Sequence, residues 1–246
     1  MELEWQQMLF EFFGGLGIFL FSIKYMGDGL QKSAGDRLRD ILDRYTTNPF
    51  MGVLVGIIVT VLIQSSSGTT VITVGLVSAG FMKLRQAIGV IMGANIGTTI
   101  TAFIIGFDVG GYALPIMAVG AFLIFFFKKH IVQNVGEVIF GFGGLFLGLE
   151  LMSGGMKPLR ELEAFTDFTL AMSDHSFLGL LAGTIFTLIV QSSSATVAIL
   201  QGLYSENLLS LQGALPVLFG DNIGTTITAI LASLGASVAA KRAAAT

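Results

Sequence analysis

A four-residue polar motif occurs twice in this chain, each time inside a long apolar stretch. The Gln-Ser-Ser-Ser motif at residues 64–67 recurs at residues 191–194, which is 127 positions later. From residue 64 to residue 102 the two copies share 21 of 39 residues without a gap. A repeat of this strength indicates two copies of one structural unit. We therefore divide the chain into a first repeat, residues 1–130, and a second, incomplete repeat, residues 131–246.

The composition of the chain indicates a membrane protein. Hydrophobic residues make up 53% and charged residues 12% of the 246 positions, and the mean hydropathy is +0.82. Soluble domains carry about 25% charged residues, so lipid is the expected solvent. Glycine, with 32 residues, is frequent within the apolar runs, which is typical of closely packed membrane helices. We expect an all-α integral membrane protein.

The composition also excludes several kinds of chemistry. The chain has no cysteine, which excludes disulfides, thiol nucleophiles and cysteine-based metal sites. The two histidines, His130 and His175, lie in predicted loops, which argues against a histidine-based catalytic or zinc centre. We expect no transition metal, no organic cofactor, no enzymatic activity and no nucleic-acid partner.

Five stretches are predicted to cross the lipid bilayer, since a crossing needs about 20 largely apolar residues. They are residues 8–30, 86–106 and 112–128 in the first repeat and residues 132–156 and 212–235 in the second. Two other apolar stretches, residues 50–81 and 177–204, are interrupted by the Gln-Ser-Ser-Ser motif after a run of only 14 apolar residues. Such a run is short for a crossing, so we interpret both stretches as re-entrant helical hairpins that turn at the motif.

The basic residues predict the orientation of the chain. Five crossings and two re-entrant hairpins place ten lysines and arginines on one side of the membrane: Lys32, Arg37, Arg39, Arg44, Lys83, Arg85, Lys128, Lys129, Lys241 and Arg242. Only Lys157 and Arg160 fall on the other side. Lysine and arginine concentrate in cytoplasmic loops, so the amino terminus is expected outside.

The same topology makes the two repeats inverted. The first repeat contains three crossings, an odd number, so the second repeat begins from the opposite face of the membrane. One hairpin then opens to the cytoplasm and the other to the outside, and their tips meet near the middle. Inverted repeats with interrupted helices are typical of secondary transporters, whose substrate lies at the repeat interface.

The Gln-Ser-Ser-Ser motif has the chemistry of an anion site. Irregular backbone at membrane depth persists only if it is buried in protein or lines a cavity. The helix that follows each motif is expected to begin near residues 68–69 and 195–196, and its amino end offers unpaired N–H groups and a partial positive charge. Two such turns could bind one tetrahedral anion with neutral donors. The candidate residues are Gln64, Ser65, Ser66, Ser67, Gln191, Ser192, Ser193 and Ser194.

A second motif, Gly-x-Asn-Ile-Gly-Thr-Thr, begins at residues 93 and 220 within two of the predicted crossings. Its two glycines are expected to let the helix unwind, so both crossings are interpreted as broken helices. Amide, hydroxyl and carbonyl oxygens suit a hard cation such as Na⁺, and Asp221 adds a carboxylate where the first copy has Ala94. The candidate cation ligands are Thr69, Asn95, Thr98, Thr196, Asp221, Asn222 and Thr225.

The pair of Gln-Ser-Ser-Ser motifs, each followed by Gly-x-Asn-Ile-Gly-Thr-Thr, resembles the bacterial branch of the type II sodium/phosphate cotransporter family. In that family the two serine motifs lie at the tips of opposed hairpins and form the phosphate and sodium sites. The resemblance implies this role for residues 64–67 and 191–194, and a sodium-binding role for Asn95, Thr98, Asn222 and Thr225. It covers nearly the whole chain.

The resemblance further implies a secondary active transporter of the bacterial inner membrane, which couples phosphate movement to the sodium gradient by an elevator-like motion of the hairpins. The expected partners are inorganic phosphate, Na⁺ and the lipid bilayer, and a homodimer is one candidate assembly. Bacterial relatives commonly continue into a cytoplasmic domain similar to the phosphate-signalling protein PhoU. The second repeat has no counterpart of the crossing at 112–128, so we expect a truncated chain.

Three alternatives remain open at the level of sequence. A sodium-coupled carrier of a dicarboxylate or of sulfate would use the same architecture, and sequence chemistry alone does not separate it from a phosphate carrier. A membrane hydrolase with a motif serine as its nucleophile needs an adjacent base, and the motifs contain none. A purely structural membrane protein would tolerate loss of the motif serines.

Overall fold

The structure, a computed structural model, describes residues 5–34, 46, 48–107 and 109–245, and of Arg160 the backbone only. These residues form helices and short connections and contain no strand. The first repeat comprises α1 (Trp5–Ala34), α2 (Pro49–Ile63), α3 (Ser66–Ser78), α4 (Leu84–Ile105), a 3₁₀ turn (Gly110–Tyr112) and α5 (Ala113–Phe126). The second comprises α6 (His130–Met156), a 3₁₀ turn (Lys157–Glu161), α7 (Glu163–Asp174), α8 (Ser176–Val190), α9 (Ser193–Ser205), α10 (Leu211–Ala232) and α11 (Val238–Ala244).

Four of the described helices are long and apolar enough to cross a membrane, and they match four of the five predicted crossings. They are α1, α4, α10 and α6 continued to Leu159. The fifth predicted crossing, at 112–128, is a shorter apolar helix, Gly110–Phe126, whose 17 residues reach about 25 Å. The protein is therefore a multi-pass membrane protein. The arginines at 37, 39 and 44, which contributed to the predicted orientation, lie outside the described residues.

Helices α1 and α6, the first helices of the two repeats, pack against each other in antiparallel orientation. A Cβ atom at Gly15, near the start of α1, would lie 2.7 Å from the carbonyl oxygen of Gly148, near the end of α6. Gly29, near the end of α1, lies against Glu137 near the start of α6. The ion pair between Lys32 and Glu137, at 2.7 Å, joins the same two ends. Small residues bring the helix backbones together, as is usual for helices in lipid.

The two helix pairs that contain the Gln-Ser-Ser-Ser motifs have the same construction. The bounds of α2, α3 and α4 recur in α8, α9 and α10 at the 127-residue offset. Helices α2 and α4 pack in parallel orientation. Gly89, near the start of α4, lies against Pro49 at the start of α2, and Gly97, farther along α4, lies against Ile57, farther along α2. The starts of α2 and α4 therefore lie at the same end, so the chain turns after α2 and comes back through α3. Helices α2 and α3, with 15 and 13 residues, are each shorter than a hydrocarbon core of about 30 Å.

The two crossings that contain the Gly-x-Asn-Ile-Gly-Thr-Thr motif are not broken, and here the sequence-based prediction was wrong. Helices α4 and α10 run without interruption for 22 residues each. The motif glycines serve close packing instead of unwinding: a Cβ atom at Gly93 would overlap the carbonyl oxygen of Val53, and one at Gly220 would overlap that of Leu180. The threonine hydroxyls bond to carbonyl oxygens of their own helix, as Thr98 does to Ala94.

Candidate functional site

The two Gln-Ser-Ser-Ser motifs, 127 residues apart in sequence, lie around one small cavity of about 50 Å³. All eight motif residues line it, together with Thr60, Thr98 and Thr101 of the first repeat. The prediction that the two motifs meet is thus confirmed. All the described residues that line the cavity are neutral, so they offer an ion only hydroxyl, amide and backbone groups.

A left-handed residue makes the turn in each motif. Gln64 ends α2 with φ 57° and ψ 29°, and Gln191 ends α8 with φ 56° and ψ 25°. This conformation is uncommon for a residue with a side chain and reverses the chain direction in one step. In both glutamines the side-chain Nε2 donates 2.6 Å hydrogen bonds to backbone, from Gln64 to the carbonyl of Val61 and from Gln191 to that of Leu188.

The helix after each turn begins inside the motif, two residues earlier than the sequence suggested. Ser65 is the N-cap of α3, and its Oγ accepts a hydrogen bond from the backbone N–H of Gly68 at 3.0 Å. Ser192 caps α9 in the same way, with Ala195 as the donor at 3.3 Å. The amino ends of two helices, with their partial positive charge, therefore meet at the cavity.

The remaining four serines of the motifs present uncommitted hydroxyl groups. None of the hydrogen bonds among the described residues engages the hydroxyls of Ser66, Ser67, Ser193 and Ser194, although Ser66 and Ser194 are buried. Each hydroxyl can donate one hydrogen bond and accept others. Four such donors, with the first N–H groups of two helices, match the acceptor oxygens of a small tetrahedral anion.

A pair of buried threonines lies behind each turn. Thr60 Oγ1 donates to Thr69 Oγ1 at 3.0 Å in the first repeat, and Thr187 and Thr196 are 2.8 Å apart in the second. The hydroxyls of Thr69 and Thr196 also donate to the backbone carbonyls of the N-cap serines. The predicted ligands Thr69 and Thr196 thus lie beneath the turns and outside the lining of the small cavity.

The second repeat differs from the first by a buried carboxylate beside its threonine pair. Asp221 is 2% exposed, and its Oδ1 accepts a 2.8 Å hydrogen bond from Thr187. The equivalent residue in the first repeat, Ala94, is fully buried and apolar. A carboxylate at membrane depth is costly unless it is neutralised, so this position favours a bound cation or a proton.

Four of the other predicted cation ligands face a second and larger cavity of about 930 Å³. Asn95, Asn222 and Asp221 line this cavity, which is otherwise bordered largely by apolar side chains of α4, α9 and α10. It shares Thr98, Ser193 and Ser194 with the small cavity, so the two are adjoining. Thr225 lines neither cavity, and its hydroxyl donates to the carbonyl of Asp221. The predicted cation ligands therefore lie in three places: beneath the turns, in the lining of the large cavity and, for Thr225, within α10 outside both cavities.

The structure adds four residues that the sequence reasoning missed. Thr60 and Thr101 line the small cavity, and Thr187 contacts Asp221. Thr60 and Thr187 are identical residues at the 127-residue offset, as are Thr101 and Thr228, so the repeat could have identified them. Gln201 lines the large cavity, and its Nε2 donates to the carbonyl of Ala102 in the other repeat. Nothing in the repeat indicated Gln201, because the first copy has Val74 there.

Comparison with known proteins gives matches over most of the chain. The family model described as Na+/Pi-cotransporter matches residues 18–154 and 157–245. YqeW, an uncharacterized protein of Bacillus subtilis (strain 168), is 31% identical over 224 residues, which cover 91% of this chain and 73% of YqeW. No solved structure matches the chain.

Two further relatives carry names that refer to phosphate. YjbB of Escherichia coli (strain K12), named as a proposed inorganic phosphate export protein, is 28% identical over 214 residues, which cover 87% of this chain and 39% of YjbB. Sodium-dependent phosphate transport protein 2A of Rattus norvegicus is 43% identical over 96 residues, 37% of this chain and 15% of that protein. The chain thus spans well under half the length of these two relatives.

Proposed function

Because the chain belongs to the Na+/Pi-cotransporter family, we propose that it is a secondary active transporter that couples the movement of inorganic phosphate to the sodium gradient. The family is one of transporters, and the relatives named for a solute are named for phosphate. These names favour phosphate over sulfate or a dicarboxylate. The proposal places the chain in the bacterial inner membrane with its amino terminus outside.

The observation that carries the proposal is the meeting of the two Gln-Ser-Ser-Ser motifs at one neutral cavity. Phosphate has four oxygens, and the cavity offers uncommitted hydroxyls from both repeats together with the amino ends of α3 and α9. Hydrogen bonds to a charged acceptor are about twice as strong as those between neutral groups. The two helix ends and the hydroxyls therefore offset part of the cost of desolvating the anion.

The proposal of sodium coupling is supported by the lining of the small cavity, in which none of the described residues carries a formal positive charge. A phosphate anion held by neutral donors keeps its negative charge, and burying that charge at low dielectric is costly. A sodium ion bound close by would lower this cost, so each ion should raise the affinity for the other by the same factor. Asp221 supplies a buried carboxylate in the same region, in the lining of the larger cavity, and a sodium ion there would favour its ionised form.

Two features of the fold support transport through alternating access. The first helices of the two repeats, α1 and α6, are antiparallel, as inverted repeats require. In each of the pairs α2–α3 and α8–α9 the second helix leads the chain back toward the end at which the first helix began, as in a re-entrant hairpin. We propose that the pairs α2–α3 and α8–α9 enter the membrane from opposite faces and move together with the bound ions.

The test is equilibrium binding of radiolabelled phosphate to the purified chain in detergent, in matched Na⁺ and K⁺ buffers. We expect saturable binding in Na⁺ and at least tenfold weaker binding in K⁺. Exchange of both Ser66 and Ser193 for alanine should abolish binding, whereas exchange of Ser78 for alanine, at the far end of α3 and outside the lining of both cavities, should not. Competition by sulfate or succinate at equal strength would favour the alternative solutes. Folded protein that binds phosphate equally in both buffers would refute sodium coupling.

A further inference from the structure

Side chains at equivalent positions of the two repeats differ in exposure. Tyr204, near the end of α9, is 52% exposed and lines the large cavity. Its counterpart at the 127-residue offset, Val77 of α3, is 4% exposed. Ala214 of α10 also lines the large cavity, whereas its counterpart, Ala87 of α4, is fully buried. The surface that is open in the second repeat is therefore covered in the first.

The short helix α11 covers this surface of the first repeat. Ala240 and Ala243 of α11 are fully buried, and they belong to the same apolar core as Ala87. The backbone N–H of Ser237, the N-cap of α11, donates to Oγ of Ser78 at the end of α3, at 3.3 Å. Helix α11 thus lies against the end of the α2–α3 pair and the start of α4.

The segment of the first repeat that is equivalent to α11 packs elsewhere. Residues 111–117 stand at the 127-residue offset from α11, and they end a 3₁₀ turn and begin α5. They pack against α6, since Gly143 of α6 lies against the carbonyl of Ala113. Tyr204 at the end of α9 and Leu211 at the start of α10 remain exposed. The segments that follow α4 and α10 are therefore placed in two different ways, and only α11 covers the hairpin of the other repeat.

The large cavity extends from the small cavity to one end of the helix bundle. Near the small cavity it is lined by the shared residues Thr98, Ser193 and Ser194. Away from the small cavity it reaches Phe107, beyond the end of α4, and Leu211, at the start of α10. The proposed orientation places the start of α10 at the outer face. Helix α11 follows the end of α10 and therefore lies at the inner face.

We propose that the large cavity is the path by which phosphate reaches the small cavity from the outer face, and that α11 is the gate that closes the equivalent path to the inner face. The structure is then open outward and closed inward. The inference rests on the proposed transport function and deepens it, because it names the path and the segment that blocks its counterpart. In alternating access the site opens to one face at a time, so release inward requires α11 to leave α3 and α4.

The contacts of α11 suit a segment that can be displaced. Its buried side chains are the methyl groups of Ala240 and Ala243, which bury little apolar area compared with larger side chains. A helix of seven residues is marginal on its own, so α11 depends on this packing. Gly235, with φ 78°, makes the turn between α10 and α11, in a conformation that glycine adopts readily. Displacement of α11 would therefore leave α10 intact.

The first experiment compares single cysteines at two equivalent alanines, Ala214→Cys and Ala87→Cys, in a chain that has no cysteine of its own. The probe is a small anionic methanethiosulfonate reagent, applied to the purified protein in detergent so that both faces are accessible. A buried thiol reacts only after local opening, so Ala214→Cys should react about tenfold faster or more than Ala87→Cys. Equal rates in chains with normal thermal transitions would overturn the proposal.

The second experiment displaces α11. Ala240→Phe is too large for a contact now made by a buried methyl group, whereas Ala239→Phe adds the same side chain on the exposed side of the same helix. Combined with Ala87→Cys, Ala240→Phe should raise the reaction rate about tenfold or more, and Ala239→Phe should leave it within about twofold. The same rate in both combined variants would contradict the role of α11 as a gate. If Ala240→Phe does not fold, the comparison of the single cysteines decides the proposal.

The third experiment connects the path with phosphate. With the reagent attached at Ala214→Cys, radiolabelled phosphate in Na⁺ should bind and dissociate about tenfold more slowly or more, because the path is narrowed. The same reagent at Ala239→Cys, outside the large cavity, should leave both rates within about twofold. Unchanged rates in both variants would reject this inference alone. If the unmodified chain, shown to be folded by its thermal transition, binds no phosphate in Na⁺, the proposed function itself fails, and the thiol reactivities still test the closure by α11.

Discussion

Thr187 and Asp221 form a buried hydrogen bond of 2.8 Å between α8 and α10, at a position where the first repeat has Thr60 and Ala94. The two repeats therefore differ in side-chain chemistry at this position, although the bounds of α2, α3 and α4 recur in α8, α9 and α10. The bond places the carboxylate of Asp221 beneath the second turn and in the lining of the larger cavity. The contact therefore makes the two repeats chemically different at a position where we predict a cation ligand.

The first prediction concerns the charge at Asp221. Exchange for asparagine keeps the side-chain size and an oxygen that Thr187 can reach, but it removes the negative charge. Two unit charges about 4 Å apart interact by about 4 kcal/mol at an effective dielectric constant of 20. We therefore expect the Na⁺ concentration for half-maximal phosphate binding to rise more than tenfold. Binding measured against Na⁺ concentration gives the result, and an unchanged Na⁺ dependence would remove Asp221 from the cation site.

A second prediction uses the threonine partners of the two turns. Thr187→Val removes the hydrogen bond to the Asp221 carboxylate, whereas Thr60→Val removes only a bond between two hydroxyls. Hydrogen bonds to charged groups contribute about 1.5–3 kcal/mol and neutral ones about 1 kcal/mol. Thr187→Val should therefore be the more destabilising change and should alter the Na⁺ dependence. Thermal unfolding in detergent and Na⁺ titration check both effects, and equal effects in the two variants would contradict the role of Asp221.

A third prediction concerns the glycines that bring α2 to α4 and α8 to α10. A Cβ atom at Gly93 or Gly220 would overlap a backbone carbonyl oxygen, which cannot move aside independently of its helix. Gly93→Ala and Gly220→Ala should each destabilise the fold by about 3 kcal/mol or more, at the upper end of overpacking costs. Gly75→Ala, in α3, meets nothing within 4 Å and is the control. It should be neutral or slightly stabilising, since alanine favours helix over glycine. A thermal transition of Gly93→Ala equal to that of the control would contradict the close packing.

A fourth prediction separates the backbone of the turn from its side chain. Gln64 has φ 57°, a region that glycine adopts readily and β-branched residues avoid. Gln64→Gly should retain stability and lose phosphate affinity, whereas Gln64→Val should lose both, with a destabilisation of about 1–2 kcal/mol from the backbone alone. Thermal unfolding and phosphate binding are measured on both variants. Full phosphate affinity in Gln64→Gly would show that the amide is not a ligand.

A fifth prediction tests the orientation in the membrane. The chain has no cysteine, so single cysteines can be introduced without background. Arg85 and Gln212 are exposed residues at the 127-residue offset, and Gln6 is exposed near the start of α1. A membrane-impermeant thiol reagent should label Gln6→Cys and Gln212→Cys in intact cells, and Arg85→Cys only after permeabilisation. Labelling of Arg85→Cys together with Gln212→Cys would contradict inverted repeats, and labelling of Arg85→Cys together with Gln6→Cys would contradict a re-entrant α2–α3 pair.

The sequence alone predicted the four long crossings and the interruption of the helix at each Gln-Ser-Ser-Ser motif. It also predicted that the two motifs lie close to each other. Long apolar runs and a strong internal repeat are properties of the sequence itself, so predictions based on them do not depend on how the helices pack. The same reasoning failed at the Gly-x-Asn-Ile-Gly-Thr-Thr motif, which it interpreted as a helix break. Glycine lowers helix propensity by only about 1 kcal/mol, and packing against a neighbouring helix overrides that cost.

The sequence by itself determined that the chain is helical, lies in lipid, is built twice from one unit and carries two neutral polar turns. These properties depend on composition and on spacing along the chain. Only the tertiary structure decided that all eight motif residues line one cavity, that Thr101 contacts Gln64 while Thr228 turns to its own helix, and that Asp221 lies under the second turn. These relationships join residues 34 or more positions apart, or hold in one repeat and not in the other. They depend on which helix faces pack together, and no local pattern specifies that.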